Sequence, residues 1–458
     1  MTTVELAGSK VLVVGLGKSG VAAARLLLSR GARVVLNDRR SLGELDAAVR
    51  ELSQQGAELA LGHHDEALFT AVDRIVVSPG VPPLPALDAA ERAGVPVVSE
   101  IELASAFIEG TLVGITGTNG KSTVTSLVGE MCQRSGRPTF VGGNLGTPLI
   151  DVVGTDAAGP GGVTVVELSS FQLERVDRLR VNAAALLNVT DDHLDRYPSF
   201  QAYAEAKGHI FDNQTPEDAA VVPDGDVLCE QLAGRGRGRL LRFGGAKGEA
   251  RVEGDALHDL GSGLSVPAAE VGLAGRHNLD NACAAMLLAR EAGVEVGVVA
   301  AALRGFRGLP HRMQRVRTLD GVHYLDDSKA TNVGAAAAAL DGLSGGDGKV
   351  VLIAGGKDKG GSYAPLVERL RRVGRAAVLV GEAAPLIAAA LKGEPLPVAR
   401  ADSLEAAVAH ARELARPGDT VLLSPACASF DMFRSYAHRG EVFQRAVQAL
   451  TERGESWD

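Results

Sequence analysis

Short apolar runs of strand length alternate with segments of helical period along most of the chain, and nearly every run ends in glycine or in polar residues. KVLVVGLG at 10–17 is followed by a helical stretch over 21–30 and a second run at 32–36; RIVVSPG at 74–80 and PVVSE at 96–100 continue the pattern. It starts afresh at TLVGIT, 111–116, with a predicted helix from Lys121 to about Ser135 that Gly136-Arg-Pro138 stops, then VTVVE at 163–167 and AAALLN at 183–188. Residues 219–274 lose the helical period and carry short strands with many glycines, and Gly234 to Gly248 reads as a loop. A helix is predicted over 275–294, GFRGLPHRMQ at 305–314 reads as a linker, and VHYLD, KVVLIAGG, AAVLVGE and TVLLS supply a last set of strands. Continuous apolar strands alternating with helices specify parallel sheets covered on both faces. The fold class is therefore α/β in three domains: a Rossmann-like N-terminal domain (1–109), a central P-loop domain of ATPase type (110–308) and a Rossmann-like C-terminal domain (309–458).

The chain's 458 residues suit about three domains. Hydrophobic residues at 46% and charged residues at 22% are globular values, and no apolar run reaches the ~20 residues of a membrane span. The first residues, MTTVELAGSK, lack a basic and apolar leader, which points to a cytoplasmic protein. Cys132, Cys229, Cys283 and Cys427 are far apart with no CxxC pair, against a zinc site or a disulfide framework. A net charge of −9 without a basic run argues against nucleic acid as a partner.

The candidate chemistry lies at the strand ends. GITGTNGKST at 114–123 reads as a variant phosphate loop: amides around Gly117, Thr118, Asn119 and Gly120 to face phosphate oxygens, Lys121 as a mobile cation, and the hydroxyl of Ser122 or Thr123 for Mg²⁺. The strict pattern wants Gly where Ile115 stands. Gly15-Leu-Gly17-Lys-Ser-Gly20 opening a helix, with Asp38 about 20 positions on, is a dinucleotide fingerprint. It suits NAD, or equally a uridine diphosphate sugar with Arg39 and Arg40 near its polar head. Glu167 ends one strand of the central domain, where it is either a Mg²⁺ ligand or a helix cap, and Asp191, Asp192 and His193 follow another. Phe200, Tyr203, Ala204, Lys207 and Phe211 share one helix face. Lys207 thus sits in an apolar stripe, where it either snorkels outward or is desolvated enough to take up CO₂ as a carbamate. Asn144 lies in a glycine turn, and Asn278 and Asn281 are three apart near a helix start, where they cap or touch a nucleotide. Asp326, Asp327, Lys329, Thr331, Lys357 and Lys359 give the third domain loops of both charge signs.

Taken in order, GTNGKST, GGNLG, ELSSFQLE, NVTDDHLDRYP, GRHNLDNA, LPHRM, DDSKATN and LSPACASFDMF resemble the Mur ligase family of peptidoglycan synthesis over nearly the whole chain. The resemblance implies an ATP-dependent ligase that joins D-glutamate to UDP-N-acetylmuramoyl-L-alanine through an acyl phosphate, with two Mg²⁺ ions, acting as a monomer. It implies Lys121, His193, Lys207 and Lys329 as catalytic; Ser122, Glu167, His193 and a carbamylated Lys207 as metal ligands; and Asn278, Asn281, Arg312 and Asp327 as ATP contacts. It also implies Leu16, Ser19, Asp38, Arg39, Arg40, Ser78, Gly80 and Asn144 around the nucleotide sugar, and Thr331, Lys359, Ser429, Phe430 and Tyr436 around D-glutamate. Phe430 and Tyr436 stand where Leu and Phe are expected, and GGKDK where GGDGK is expected.

Three other readings compete. A sibling ligase would add a different amino acid and differ around ACASFDMF. A dehydrogenase would bind NADH and leave the phosphate loop unexplained. A nucleotide sensor without catalysis would leave the strand-end carboxylates and His193 without a task.

Overall fold

The computed structural model describes residues 6–452, except 145, 195, 274 and 345–347; of 276 and 277 it describes the backbone alone. Three α/β sheets follow one another along the chain. The first is five-stranded and parallel: β1 Lys10–Val14, β2 Arg33–Asp38, β3 Glu58–Leu61, β4 Arg74–Val77 and β5 Val97–Ser99, in the order β3-β2-β1-β4-β5.

The second sheet has nine strands: β6 Thr111–Thr116, β7 Thr139–Gly143, β8 Val163–Glu167, β9 Ala183–Leu186, β10 Ala219–Pro223, β11 Arg239–Phe243, β12 Ala250–Glu253, β13 Ala256–Asp259 and β14 Leu264–Pro267. Their order is β14-β13-β12-β11-β10-β9-β6-β8-β7. The third has six: β15 Gln314–Leu319, β16 Val322–Asp326, β17 Val350–Gly355, β18 Gly374–Val380, β19 Val398–Arg400 and β20 Thr420–Leu423, in the order β15-β16-β20-β17-β18-β19 with β15 an antiparallel edge.

The short strands expected over 219–274 are present, but two details of that stretch need correcting. Val227–Ala233 is helical, and Arg239–Phe243, inside the supposed loop, is a strand paired in parallel with β10. Its arginines and glycine flanks hide a strand whose Leu241 and Phe243 are buried. The predicted helix over 200–211 is α-helical for Phe200–Gly208 and tightens to a 3-10 turn at His209–Phe211.

Burial explains the regularity. Val11, Leu12, Val13 and Val14 are inaccessible, as are Val163, Val165 and Val166 and the run Val351–Ala354. Strands covered on both faces need no alternation, so these runs are apolar but for Thr164. Glu102 braces the first two sheets: its carboxylate accepts from the amides of Asp177, Arg178 and Leu179 at 3.0–3.1 Å.

By its internal contacts the chain groups into two compact units. The first comprises the described residues of Met1–Val189, Ala204–Val266 and Ala282–Ala302; the second those of Thr190–Tyr203, Pro267–Asn281 and Leu303–Asp458. The segment bearing Asp192 and His193 therefore belongs with the third sheet, tied there by Asp192, which accepts from Asn332 and Lys359.

Candidate active site

In the first unit β6 lies between β9 and β8, and its C-terminal end opens onto the phosphate loop, where parallel sheets place ligands. Gly117 has φ +146° and Gly120 φ +87°, conformations that favour glycine, and Gly120 precedes the helix Lys121–Arg134. The Thr118 amide donates to Asn188 O and the Asn119 amide to Asn188 Oδ1, both at 2.9 Å, while Asn188 Nδ2 donates back to Asn119 O at 3.0 Å. These two amides brace the loop, which is a different task from the phosphate contact expected of them. The helix's first backbone bond runs from Val124 to Gly120, so the Ser122 and Thr123 amides ahead of it stay outside the helical ladder, at the positive end of the dipole. Ser122 and Thr123 are 3% and 4% exposed.

Two lysines converge on this loop. Lys121 Nζ donates to Gly117 O at 2.8 Å and Thr118 O at 2.7 Å; Lys207 Nζ donates to the same Gly117 O at 2.8 Å. Lys207 is 1% exposed, so it is the desolvated alternative, not the snorkelling one, that the fold realises.

Glu167 pairs in register with Ile115 on one side and Gly143 on the other. It is buried, and its Oε1 accepts from Asn144 Nδ2 at 2.6 Å. Capping of the next helix falls to Ser169 with Gln172, not to Glu167. Asn144 thus stands beside Glu167.

The other residues expected around the nucleotide sugar line one cleft. Leu16, Ser19, Asp38, Arg39, Arg40, Ser78 and Gly80 surround about 490 Å³, joined by Lys18, His64 and the Pro79–Leu84 turn. The Asp38 carboxylate is already engaged: it accepts from the Leu16 amide at 2.8 Å and from Arg40 at 2.8–3.0 Å. Burial opposes its ionisation, but the Arg40 guanidinium and the Leu16 amide outweigh burial and hold the carboxyl well below the usual range. Asp38 therefore shapes the Gly15–Gly17 turn rather than presenting a free acceptor to a ribose.

In the second unit Asn278 and Arg312 line a common cleft of about 330 Å³, with Leu309, Pro310 and Met313. Asn281 Nδ2 donates to Asn278 Oδ1 at 3.3 Å, which makes it a support for its neighbour. His311 and Met313, flanking Arg312, have φ +60° and +46°, and His193 has φ +55°. Such backbone strain in non-glycine residues persists where the surroundings over-determine it, often at functional loops. Asp327 accepts from the Met313 amide at 3.3 Å and from Ser424 Oγ at 2.9 Å, and burial pushes its carboxyl up to about 7. His193 donates its amide to Asp192 Oδ1 at 3.0 Å, and its ring lies 6.3 Å from that of Tyr203.

The loops after β17 and β20 run side by side, with Lys357 and Ala428 bridging them. Lys329 Nζ sits 3.8 Å over the Tyr436 ring, Thr331 follows it in the same turn, and Ser429 O accepts the Phe433 amide at 2.8 Å. Phe430 is 72% exposed. Arg439, which the sequence reading missed, holds these loops in place. Its buried guanidinium donates to Ser328 Oγ at 3.0 Å, Ser328 O at 2.8 Å and Cys427 O at 3.1 Å. Burial pulls its pKa down to about 10. An arginine in an amphipathic helix carries no sequence sign of such a role, and Asn188 was equally hidden in NVTDDH.

A phosphate loop opening a helix at the end of a strand flanked by parallel strands, with α/β domains on both sides of it in the chain, defines a P-loop nucleotide-dependent enzyme of three domains. Comparison with known proteins is consistent along the whole length. The N-terminal domain of MurD-like Mur ligases matches residues 9–99, the Mur ligase middle domain 115–289, and the glutamate ligase domain of Mur ligases 311–427. The UDP-N-acetylmuramoylalanine–D-glutamate ligase of Trichlorobacter lovleyi is 48% identical over 97% of this chain and 100% of its own length. That of Anaeromyxobacter dehalogenans is 47% identical over 97% of this chain and 98% of its own length. Among solved structures, a pseudomurein peptide ligase of Methanothermus fervidus superposes with TM-score 0.62 at 19% identity, covering 96% of this chain and 99% of that one. The MurF ligase of Thermotoga maritima, solved with ADP, has TM-score 0.62 at 18% identity, covering 98% and 97%. The chain belongs to the Mur ligase family.

Proposed function

We infer that this protein is the ATP-dependent ligase that joins D-glutamate to UDP-N-acetylmuramoyl-L-alanine in the synthesis of peptidoglycan precursors. What carries the reading is likeness along the full chain to ligases named for that reaction, 45–48% identical over at least 97% of this sequence. ATP, the nucleotide sugar and D-glutamate are its substrates, and a UDP-linked precursor places the work in the cytoplasm. Among the described residues no helix is long and apolar enough to cross a membrane.

The reaction needs a carboxylate of the alanyl substrate to attack the γ-phosphate of ATP and release ADP, after which the amine of D-glutamate attacks the acyl carbon, loses its proton and displaces phosphate. Lys121 supplies the cation against the charge that builds on the transferred group, and the helix N-terminus behind Gly120 adds the backbone dipole. Among the described residues no three His, Cys, Asp or Glu side chains form a ready cage for a metal. Mg²⁺ in nucleotide sites takes one or two protein oxygens together with phosphates, and the Ser122 hydroxyl with the buried Glu167 carboxylate is a donor set of that kind. When bound, Mg²⁺ offsets phosphate charge.

Two ammoniums on the single acceptor Gly117 O repel each other. Carbamylation turns Lys207 into an anion beside Lys121 and keeps an N–H for Gly117, which is our reason to assign the carbamate there. His193, in the second unit, is assigned as the imidazole ligand, and Asn278, Arg312 and Asp327 as ATP contacts. The test is phosphate release from MgATP with UDP-N-acetylmuramoyl-L-alanine and, in turn, D-glutamate, L-glutamate, L-alanine or a diamino acid. Release that needs D-glutamate is expected; release with another amino acid would keep the ligase and overturn its specificity.

A further inference from the structure

Asp38 is spent on Leu16 and Arg40, so a nucleotide in the cleft of the first unit needs its hydrogen-bond acceptor elsewhere. His64 lines that cleft, lies outside the set that the family resemblance implies, and is built to be one. Its partner is Asn37, 1% exposed and set opposite Ala60 where β2 pairs with β3. Asn37 Nδ2 donates to Ala60 O at 2.6 Å and to His63 O at 2.9 Å, which uses both amide hydrogens. Its Oδ1 is thereby turned to His64 Nδ1 at 2.6 Å. A carbonyl oxygen only accepts, so Nδ1 carries the hydrogen.

The state of the other ring nitrogen follows. Burial moves the imidazole pKa below its usual value, with Arg39 and His63 adding to it and Asp38 opposing. The ring is then neutral near pH 7, and a neutral imidazole with its hydrogen on Nδ1 holds a bare lone pair on Nε2. Among the described residues none hydrogen-bonds Nε2. The buried Phe69 ring meets the imidazole edge-on, at 80° with centroids 6.0 Å apart, and holds the plane in which that lone pair lies.

Sheet order says which part of a nucleotide meets it. The strands run β3-β2-β1, and the glycine turn after β1 opens a helix, which is the phosphate end of such clefts. Asp38 closes β2, where the ribose falls, and His64 follows β3, one strand further out, where the base falls. A uracil attached through N1 has a single ring donor, N3–H, between two carbonyls. Cytosine offers a bare N3 at the same place, and two lone pairs facing each other repel.

We propose that His64 reads the base of the nucleotide: its Nε2 accepts uracil N3–H, Asn37 fixes the tautomer that this requires, and the pair selects uridine over cytidine nucleotides. This rests on the reading of the cleft as the site of the nucleotide sugar.

The experiment uses the full-length enzyme and measures inhibition of phosphate release by UDP, CDP and N3-methyl-UDP, each against UDP-N-acetylmuramoyl-L-alanine. If UDP does not compete with that substrate, the reading of the cleft has failed and the proposal with it. With competition established, UDP should bind on the order of tenfold or more tighter than CDP or N3-methyl-UDP, the worth of one hydrogen bond made against one left unmade. In His64→Phe, which keeps a ring packed on Phe69, UDP should weaken by about that factor while CDP and N3-methyl-UDP bind as well or better, so the preference collapses. Nitrogen NMR of the histidines in the free enzyme gives a readout that needs no ligand: the signals that His64→Phe removes should be those of an Nδ1–H tautomer at neutral pH. Equal binding of UDP and N3-methyl-UDP by the wild type, a measurement independent of any variant's folding, would overturn the proposal. So would His64→Phe weakening all three ligands alike, or a bare Nδ1 in the wild type.

Discussion

Replacing Lys207 tests the phosphate loop most sharply. Its Nζ and that of Lys121 each lie 2.8 Å from Gly117 O, so the two nitrogens are no more than about 5.6 Å apart. At an effective dielectric near 20, two positive charges at that separation repel by about 3 kcal/mol, and a carbamate in place of one ammonium attracts by a similar amount. The swing of roughly 6 kcal/mol is ample to favour CO₂ uptake at a site that is 1% exposed. On the proposed carbamate, Lys207→Ala removes an anion and should cost the enzyme at least about a hundredfold in kcat, the scale of losing one preorganised charge at a transferring phosphoryl group. Short carboxylic acids such as acetate or propionate should restore part of the rate in the variant and leave the wild type unchanged. Labelled CO₂ should give the wild type a carbamate carbon resonance that Lys207→Arg lacks. Full activity of Lys207→Ala without added acid, or no such resonance under turnover conditions, would refute the carbamate.

Other substitutions have equally definite outcomes. Burial pushes Glu100 up to about 7; its Oε1 accepts from the Ile150 amide at 2.6 Å while Oε2 is buried without a partner. The folded state thus keeps a proton that the unfolded chain releases near pH 4.5, and wild-type stability should fall as pH rises from about 4.5 to 7, by about 3 kcal/mol in all. Glu100→Gln should flatten that slope in denaturant titrations, and an unchanged slope would place the pH dependence elsewhere. Gly117→Ala forces a Cβ at φ +146° to within 3.1 Å of Leu187 Cβ and should abolish nucleotide binding in calorimetry while leaving the first sheet folded. Arg439→Met strands the acceptors at Ser328 and Cys427 and should cost about 2–4 kcal/mol in chemical unfolding.

The strands and the chemistry at their ends were legible because both are local. A run such as VTVVE closing on Glu167 states the strand and the carboxylate's place in one pentapeptide, and GTNGKST carries the glycines that its own backbone needs. What stayed hidden depends on partners far along the chain. Asn188 meets the phosphate loop from 69 residues away, Arg439 reaches Ser328 across 111, and Asn144 joins Glu167 across 23. The strand Arg239–Phe243 was missed because its arginines and flanking glycines imitate a loop. The grouping of Thr190–Tyr203 with the third sheet turns on Asp192 meeting Lys359 across 167 residues, which no window of sequence contains.

The claim that all of this serves is attack by a substrate carboxylate on the γ-phosphate of ATP. It can be followed with UDP-N-acetylmuramoyl-L-alanine whose alanyl carboxylate carries heavy oxygen. Turnover with MgATP and D-glutamate should deliver one labelled oxygen into the released phosphate. Unlabelled phosphate at the same rate would mean that water attacks ATP directly, and would contradict the acyl phosphate and the ligase built on it.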